Sequence, residues 1–450
     1  MGRQDLCGAV RVAWKVLRSI WCTREQRRCV QKIHRNLEGE IMQSTIGQIP
    51  RSKIAKTARR FRNTPRPLLA AGLFAMTVPF AHAGAELKIS DEASVSVGLG
   101  LRASFTSLEH GAPDGTSDSK SFAAENVRLY MSGQFNKYLK ASFNTERTGG
   151  PAATGGDSVR VMDAVVQLES SDLFNFWLGR MLPPSDRANL SGPFYVSAWS
   201  FPGVVSNYPN LAVGRDNGML VWGKPLGGKL VYSVGAFNGH NRAVGLSNVS
   251  DKMLYAGRLA VALWDPEPAP AYYEGGTYYG SKDIFTIGVA GQAQKDGAGT
   301  AAAKGNFRVW SLDALFEKKI GGFVPALEGA YYKYDLGGAV DCGSGEPGSV
   351  ACPVADNVGG QVAGKAYLLS GALLLPGKVS GGQIQPFVRY QKFDRDLSST
   401  TSKATDFGVN YLINGSNGKL SLVYTKFDDS RLAPAQTSAK QVVLGLQVQY

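Results

Sequence analysis

The last ten residues, "QVVLGLQVQY", place Val442, Leu444, Leu446, Val448 and Tyr450 on one side of an extended chain. Gln441, Val443, Gly445, Gln447 and Gln449 fall on the other side. Alternation with a period of two marks a β-strand with one apolar and one polar face. The same rhythm returns upstream. "ASVSVGLGLRASF" sets Val95, Val97, Leu99, Leu101, Ala103 and Phe105 against Ser94, Ser96, Gly98, Gly100 and Arg102. "ENVRLYMSGQF" sets Val127, Leu129 and Met131 against Arg128, Tyr130 and Ser132, and "YLKASFNTE" sets Leu139, Ala141 and Phe143 against Lys140, Ser142 and Asn144. Helical periodicity is scarce, and no apolar run of 18 residues follows Ala83.

About sixteen alternating stretches can be counted, centred near residues 99, 129, 142, 164, 176, 221, 233, 259, 288, 312, 329, 370, 388, 410, 423 and 446. The spacing suits tilted spanning strands of about 9–11 residues with connections between them. Connection lengths alternate. Short ones include "FNK" (135–137), "SSD" (170–172), "KPLGG" (224–228), "KKIGG" (318–322) and "NGSNG" (414–418). Longer polar ones, such as "SLEHGAPDGTSDSKS" and "RTGGPAATGGDS", lie between them. One end therefore carries tight turns and the other long loops, as in outer-membrane barrels. "DPEPAPAYYEGGTYYGSKD" (265–283) breaks the rule, because it belongs to the tight-turn end by parity and is long.

Alternation alone fits either a soluble β-sandwich, with its apolar faces packed together, or a barrel turned apolar side out toward lipid. Export, alternating connection lengths and aromatic residues at segment ends favour the barrel. Tyr130, Trp177, Trp222, Trp264, Tyr331, Tyr332, Tyr334 and Tyr424 are the candidates for its interfacial girdles. The fold expected is thus an all-β transmembrane antiparallel barrel of about 16 strands over residues 84–450. Its last strand would pair with its first, and its terminal Tyr450 would sit at the interface. That ending resembles the terminal assembly signal of such barrels, which usually closes on Phe.

Charge adds a leader to this picture. Of 49 Lys/Arg and 36 Asp/Glu, 16 and 4 lie in residues 1–83, so 33 and 32 remain, a net of +1. The basic excess belongs to the leader, which removes the case for nucleic acid as a partner. Arg51 through Arg66 supply a positive region, "LLAAGLFAMTVPF" an apolar one and "AHA" a cleavage site ending at Ala83. Residues 42–83 read as a cleavable signal peptide, and residues 1–41 as an extension upstream of the natural start. The segment after cleavage keeps only Cys342 and Cys352, nine intervening residues apart in a Gly/Ser/Pro-rich loop, and a local disulfide is expected there.

The longest connection on the long-loop side is "MLPPSDRANLSGPFYVSAWSFPGVVSNYPNLAVGRD" (181–216), between the fifth and sixth strands. Five prolines restrain it, and folded inward it would narrow the lumen. Here "WLGRMLPPSDRANLSG", "GRDNGMLVWGKPLGGKLVYSVGAFNG" and "YAGRLAVALW" resemble the phosphate-selective porin O/P family. The resemblance implies a sixteen-stranded porin of the outer membrane, a homotrimer whose third external loop constricts the channel. In that family phosphate selectivity comes from lumenal arginines and a lysine cluster at the constriction. Residues 181–216 hold no lysine, a departure from the pattern.

If the apolar faces meet lipid, then Arg102, Arg128, Lys140, Arg258 and Arg389 point inward, while Arg187 and Arg215 sit on the constricting loop. A row of guanidinium groups offers forked donors to an anion shedding water, so a modest anion preference is expected. Asp163, Asp313 and Asp406 also fall on inward positions, where each arginine would equally serve as half of a wall-stiffening ion pair. Enzyme readings find little support. Only His110 and His240 follow the leader, both in predicted loops, and no nucleophile-elbow, phosphate-loop or haem-attachment string occurs. No metal site or cofactor is expected. The partners expected are outer-membrane lipid and small hydrophilic or anionic solutes. Two other readings are a barrel sheathing an electron-carrying partner and a soluble periplasmic binding protein.

Overall fold

The computed structural model describes residues 85–148, 158–203, 214–239, 252–299, 304–338, 363–396, 400–429 and 438–450. Cys342, Cys352 and the whole leader lie outside these residues.

A short strand, β1 (Ala85–Lys88), is followed by sixteen longer ones: β2 (Ser94–Leu108), β3 (Ser119–Gln134), β4 (Leu139–Thr148), β5 (Ser158–Glu169), β6 (Asn175–Met181), β7 (Asp216–Gly223), β8 (Leu230–Phe237), β9 (Leu254–Ala262), β10 (Ile284–Gly299), β11 (Lys304–Glu317), β12 (Val324–Asp335), β13 (Gly364–Leu374), β14 (Gln383–Arg395), β15 (Thr401–Leu412), β16 (Gly418–Asp429) and β17 (Ser438–Gln449). Each of the sixteen alternating stretches read from the sequence falls in one of β2 to β17. Every strand from β2 onward pairs antiparallel with its neighbour in sequence, and β17 closes the circle on β2 from Gln441↔Leu108 to Gln449↔Gly100. The closed barrel has 16 strands. Tyr450 completes the seam, since its N–H donates to Leu99 O and its carbonyl accepts from Leu99 N, both at 2.8 Å. β1 folds back on the start of β2, pairing Ala85↔Val97 to Lys88↔Ser94 on the edge that β17 leaves free.

The side-chain distribution is inside out. On β17, Leu444 and Leu446 are 53% and 43% exposed on the outer face, whereas Gln447 is 0% exposed within. Leu129, Val289, Leu369, Val409 and Leu422 also stand on the outer surface, while Arg102, Ser311, Asp313, Gln385 and Asn410 are buried inside. A hydrocarbon surround explains both halves of the pattern. It accepts the apolar groups, and it forces every backbone N–H and C=O into the ladder, which only a closed sheet achieves. Outward aromatics bound the apolar band. Trp310, Tyr331 and Tyr367 meet edge to face or tilted at 5.2 Å toward the long-loop end. Trp264 touches Phe285 and Phe316 at 5.5 and 5.2 Å at the turn end. From Tyr255 to Trp264 the chain runs nine residues, about 30 Å at about 3.3 Å each. A tilt of about 40° reduces this to about 23 Å, close to the height of an outer-membrane apolar band.

The girdle read from the sequence needs correcting. Trp264, Tyr331 and Tyr424 belong to the outer face, but Trp177, Trp222, Tyr332 and Tyr334 are buried inside the barrel, and Tyr130 borders the internal cavity. They face inward because the lumen contains an apolar body of its own. Besides a register shift on β10 between Gln294 and Ala298, two β-bulges interrupt the alternation. One, between Arg102 and Ala103 on β2, leaves Glu125 of β3 without an opposite residue. The other, between Asn144 and Thr145 on β4, does the same for Met162 of β5. Each turns two consecutive side chains toward the lumen, Glu125 with Asn126 and Met162 with Asp163.

Candidate functional site in the barrel lumen

The connection between β6 and β7 enters the barrel, as its length and prolines led us to expect. It begins with a single helical turn, α1 (Arg187–Ser191), capped by Asp186, whose carboxylate accepts from Asn189 N at 3.4 Å and from Tyr332 Oη at 2.7 Å. Leu182, Ala188 and Leu190 pack into an apolar cluster with the inward faces of Trp177, Trp222, Tyr332 and Tyr334. Burying side chains of this size stabilises the inserted loop by about 1.5–3 kcal/mol each for the leucines. Burial and the neighbouring Asp313 raise the Asp186 carboxyl to about 6 against the Tyr332 hydrogen bond.

Beyond α1 the chain follows the inner wall from Phe194 to Ser200 in a succession of bends. A segment outside helix and sheet has carbonyls with no regular partner, and buried carbonyls need donors. Wall side chains supply them. Gln447 Nε2 donates to Phe194 O at 3.0 Å, Lys419 Nζ to Val196 O at 3.1 Å, and Asn410 Nδ2 to Ser197 O at 2.8 Å. Arg102 donates to Trp199 O, and Arg389 reaches Ser200 O at 2.7 Å and its Oγ at 2.6 Å. The Trp199 ring lies 4.1 Å from the Arg102 guanidinium, and its Nε1 donates to Glu125 at 3.0 Å. Gly445 makes room for that ring, because a Cβ there would come within 2.6 Å of the indole.

The connection that broke the length rule also folds inward. Between β9 and β10, residues 263–283 rise from the turn end to meet α1. Arg187 donates bidentately to Glu267 at 2.9 and 2.7 Å and to Gly275 O at 2.9 Å, with Glu274 at 3.3 Å. Arg258 of β9 donates to Glu274 at 3.1 and 2.7 Å and to Asp313 of β11 through two 2.7 Å bonds. It also donates to Ser185 O at 3.2 Å. Gly276 N donates to Tyr195 O at 3.0 Å, and Tyr272 Oη to Leu182 O at 2.6 Å. Glu317 of β11 accepts from Thr277 Oγ1 at 2.6 Å and Gly280 N at 2.7 Å. Burial works against charge on Glu267, but the Arg187 guanidinium and the Tyr278 hydroxyl outweigh it and lower the carboxyl to about 2. Loops from opposite ends of the barrel are thereby locked together at mid-lumen.

The predicted cations are therefore in three settings. Arg187 and Arg258 belong to the lock. Arg102 and Arg389 hold the segment Phe194–Ser200, Arg389 being paired with Asp406 at 2.7 Å as well, and Arg128 pairs with Glu146. Lys140 and Arg215 border an open cavity of about 510 Å³, paired with Glu169 at 2.7 Å and Asp163 at 3.3 Å. Arg102, Arg128, Lys140, Arg258 and Arg389 are each hydrogen-bonded or ion-paired to the wall or to an inserted loop. Glu267, Glu274, Lys419 and Trp199 were not anticipated. The only signal for the first two was the anomalous length of their connection. Among the described residues no cluster of His, Cys, Asp and Glu fits a metal ion.

No family model and no curated protein matches the chain. Solved structures do. An anion-selective porin from Comamonas acidovorans superposes at TM-score 0.51 and 14% identity, over 80% of this chain and 100% of that one. The outer membrane channel DcaP of Acinetobacter baumannii gives 0.52 and 14%, over 81% and 100%. OmpF of Salmonella typhi, in complex with daunomycin, gives 0.53 and 13%, over 81% and 100%. The chain has the fold of the outer-membrane porins. At such identities the likeness is one of architecture, and the porin fold is what positions the lumenal residues described above.

Proposed function

We propose that the chain, after removal of residues 42–83 and anything before them, forms a water-filled channel in the outer membrane through which small hydrophilic solutes diffuse. The observation that carries this is the inside-out barrel, with its apolar band toward lipid and its polar wall and inserted loops within. Transport, not catalysis, is the role such a lumen supports. The homotrimer and the phosphate-selective O/P family remain proposals drawn from the sequence resemblance. The sheath reading gains nothing here, since the chain's own loops occupy the space a partner would need.

Anion preference rests on Lys140 and Arg215, the predicted cations that border the open cavity along with Arg128. Asp163, Glu169 and Glu274 border it too, so the preference proposed is slight. Purified outer-membrane protein in planar bilayers should give stepwise conductance and a small anion-directed reversal potential across a salt gradient. A clear cation-directed potential would end the anion reading. A processed chain found folded and detergent-free in the periplasm would end the porin reading. N-terminal sequencing beginning at Gly84 would support the cleavage site, and chemical cross-linking should trap three copies.

A further inference from the structure

The cavity of about 510 Å³ lies on the turn side of the locked loops, between the wall of β2–β7 and the inserted residues 269–278. We infer that it is a binding site for a neutral polyhydroxylated solute, a sugar of one or two rings. The inference rests on the porin reading and deepens it. Cavities of roughly 300–1,000 Å³ with aromatic walls and a few placed polar groups are the usual form of small-molecule sites.

Three features of the lining select the chemical class. The first is aromatic surface. Tyr130, Tyr195 and Tyr273 are half-buried and border the space from β3, from the β6–β7 loop and from the β9–β10 loop. Tyr273 stacks one face on Tyr272 at 4.8 Å. Ring faces carry negative charge density and suit the C–H faces of a saturated ring. The second is a set of uncharged hydrogen-bonding groups, Ser142, Asn144 and Gln167 among them. The third is charge that is already compensated. Lys140 has Glu169 at 2.7 Å, Arg215 has Asp163 at 3.3 Å, and Arg128 has Glu146. An anionic or cationic guest would have to break such a pair and leave a half-buried charge without its partner, which is costly. Hydroxyl groups impose no such exchange. Each donates to a remaining carboxylate lone pair or accepts from an N–H while the pair stays together.

The geometry also gives the site a direction. Lys140 and Glu169, beside the tight turns, border the cavity on one side, and Glu274 of the lock borders it on the other, so a solute in it sits next to the narrowest point.

Two measurements test the assignment separately from the channel reading. Sucrose added to detergent-solubilised protein should shift the tryptophan emission saturably, since Trp177 and Trp222 border the cavity, and Tyr273→Ala and Gln167→Ala should each weaken that binding tenfold or more. In bilayers, sucrose on the turn side should interrupt the open-channel current, and equimolar phosphate or glycine should not displace it. Current steps without either sucrose effect, or displacement by phosphate or glycine, would overturn the cavity assignment alone. Saturable sucrose binding without any current steps would overturn the channel reading and leave the assignment standing.

Discussion

The lock between the two loops contains an asymmetry of charge that a pair of substitutions reads directly. Arg187 and Arg258 contribute two positive charges, and Glu267, Glu274 and Asp313 three negative ones, so the cluster carries a net −1. All five side chains are 6% exposed or less. Arg258→Met changes that net charge to −2 and strips donors from Glu274, Asp313 and Ser185 O together. Removing one partner from a buried ionic cluster costs about 3–5 kcal/mol, because the charges left behind remain out of water. That is a factor of about 10² to 10³ or more in the ratio of locked to released loops. Glu274→Gln brings the net charge to zero, keeps an acceptor beside Arg258 and leaves the Asp313 pair intact, so it should be close to neutral. Two assays apply. Single-channel steps should grow in Arg258→Met as residues 263–283 withdraw, and chymotrypsin should cut at Tyr272 and Tyr278, which are 1% and 2% exposed in the native fold. Glu274→Gln should match the parent in both. Equal damage from the two substitutions would refute the charge-balance reasoning. Unchanged conductance and protection in Arg258→Met would refute the lock.

Three further outcomes follow from the same geometry. Asp186 has its folded value at about 6, above that of an ordinary carboxyl, so the native barrel takes up this proton before the unfolded chain does. Its contribution to stability should therefore grow as pH falls from about 7 toward about 4, by at most about 3 kcal/mol. Asp186→Asn should abolish that component of the pH dependence in urea unfolding from detergent, and an unchanged slope would contradict it. Gly445→Ala should push the Trp199 ring away and release the segment Phe194–Ser200, enlarging the conductance without altering barrel assembly, which a heat-modifiable gel shift monitors. Deleting Tyr450 removes both terminal hydrogen bonds to Leu99, each contributing about 0.5–1.5 kcal/mol. Assembly in vesicles should slow, and assembly at the parental rate would show that the seam does not depend on its last residue.

The wall of the barrel was legible because lipid enforces a simple rule on it. Leu99, Leu101, Leu444 and Leu446 face acyl chains, so alternation persists over whole strands, and the sixteen centres and the β17–β2 seam emerge from it. The same rule misleads wherever both faces are apolar. In "AYYKYDL" the chain offers Tyr331 outward but Tyr332 and Tyr334 inward, and nothing local distinguishes girdle from lumen. The difference comes from Leu182 and Leu190, roughly 150 residues away in sequence, which give the inner tyrosines something to pack on. The bulges at Glu125 and Met162 shift the phase by one residue, again without a local signal. Arg258 shows the remaining limit. Its inward direction follows from "YAGRLAVALW", but whether a lumenal guanidinium meets a passing anion or a fixed carboxylate depends on Glu274, which arrives on a loop whose path alternation does not encode.

On the channel reading, that loop changes how the lumen would filter solutes. An inserted loop held only at its own two ends can be displaced as a unit, and its width then varies with thermal motion. Here the β6–β7 connection is held from Phe194 to Ser200 by donors from β2, β14, β15, β16 and β17, and its α1 turn is clasped by residues of the β9–β10 connection. Each contact replaces water around a buried polar group, so loosening one exposes others, and the assembly opens as a whole if it opens at all. A constriction built this way takes its charge from the balance between two loops instead of from either one. The excess carboxylate of the lock belongs to neither connection alone. Selectivity at the narrowest point should accordingly respond to substitutions in 263–283 as strongly as to those in 182–203, although only the latter stretch bears the family-like sequence.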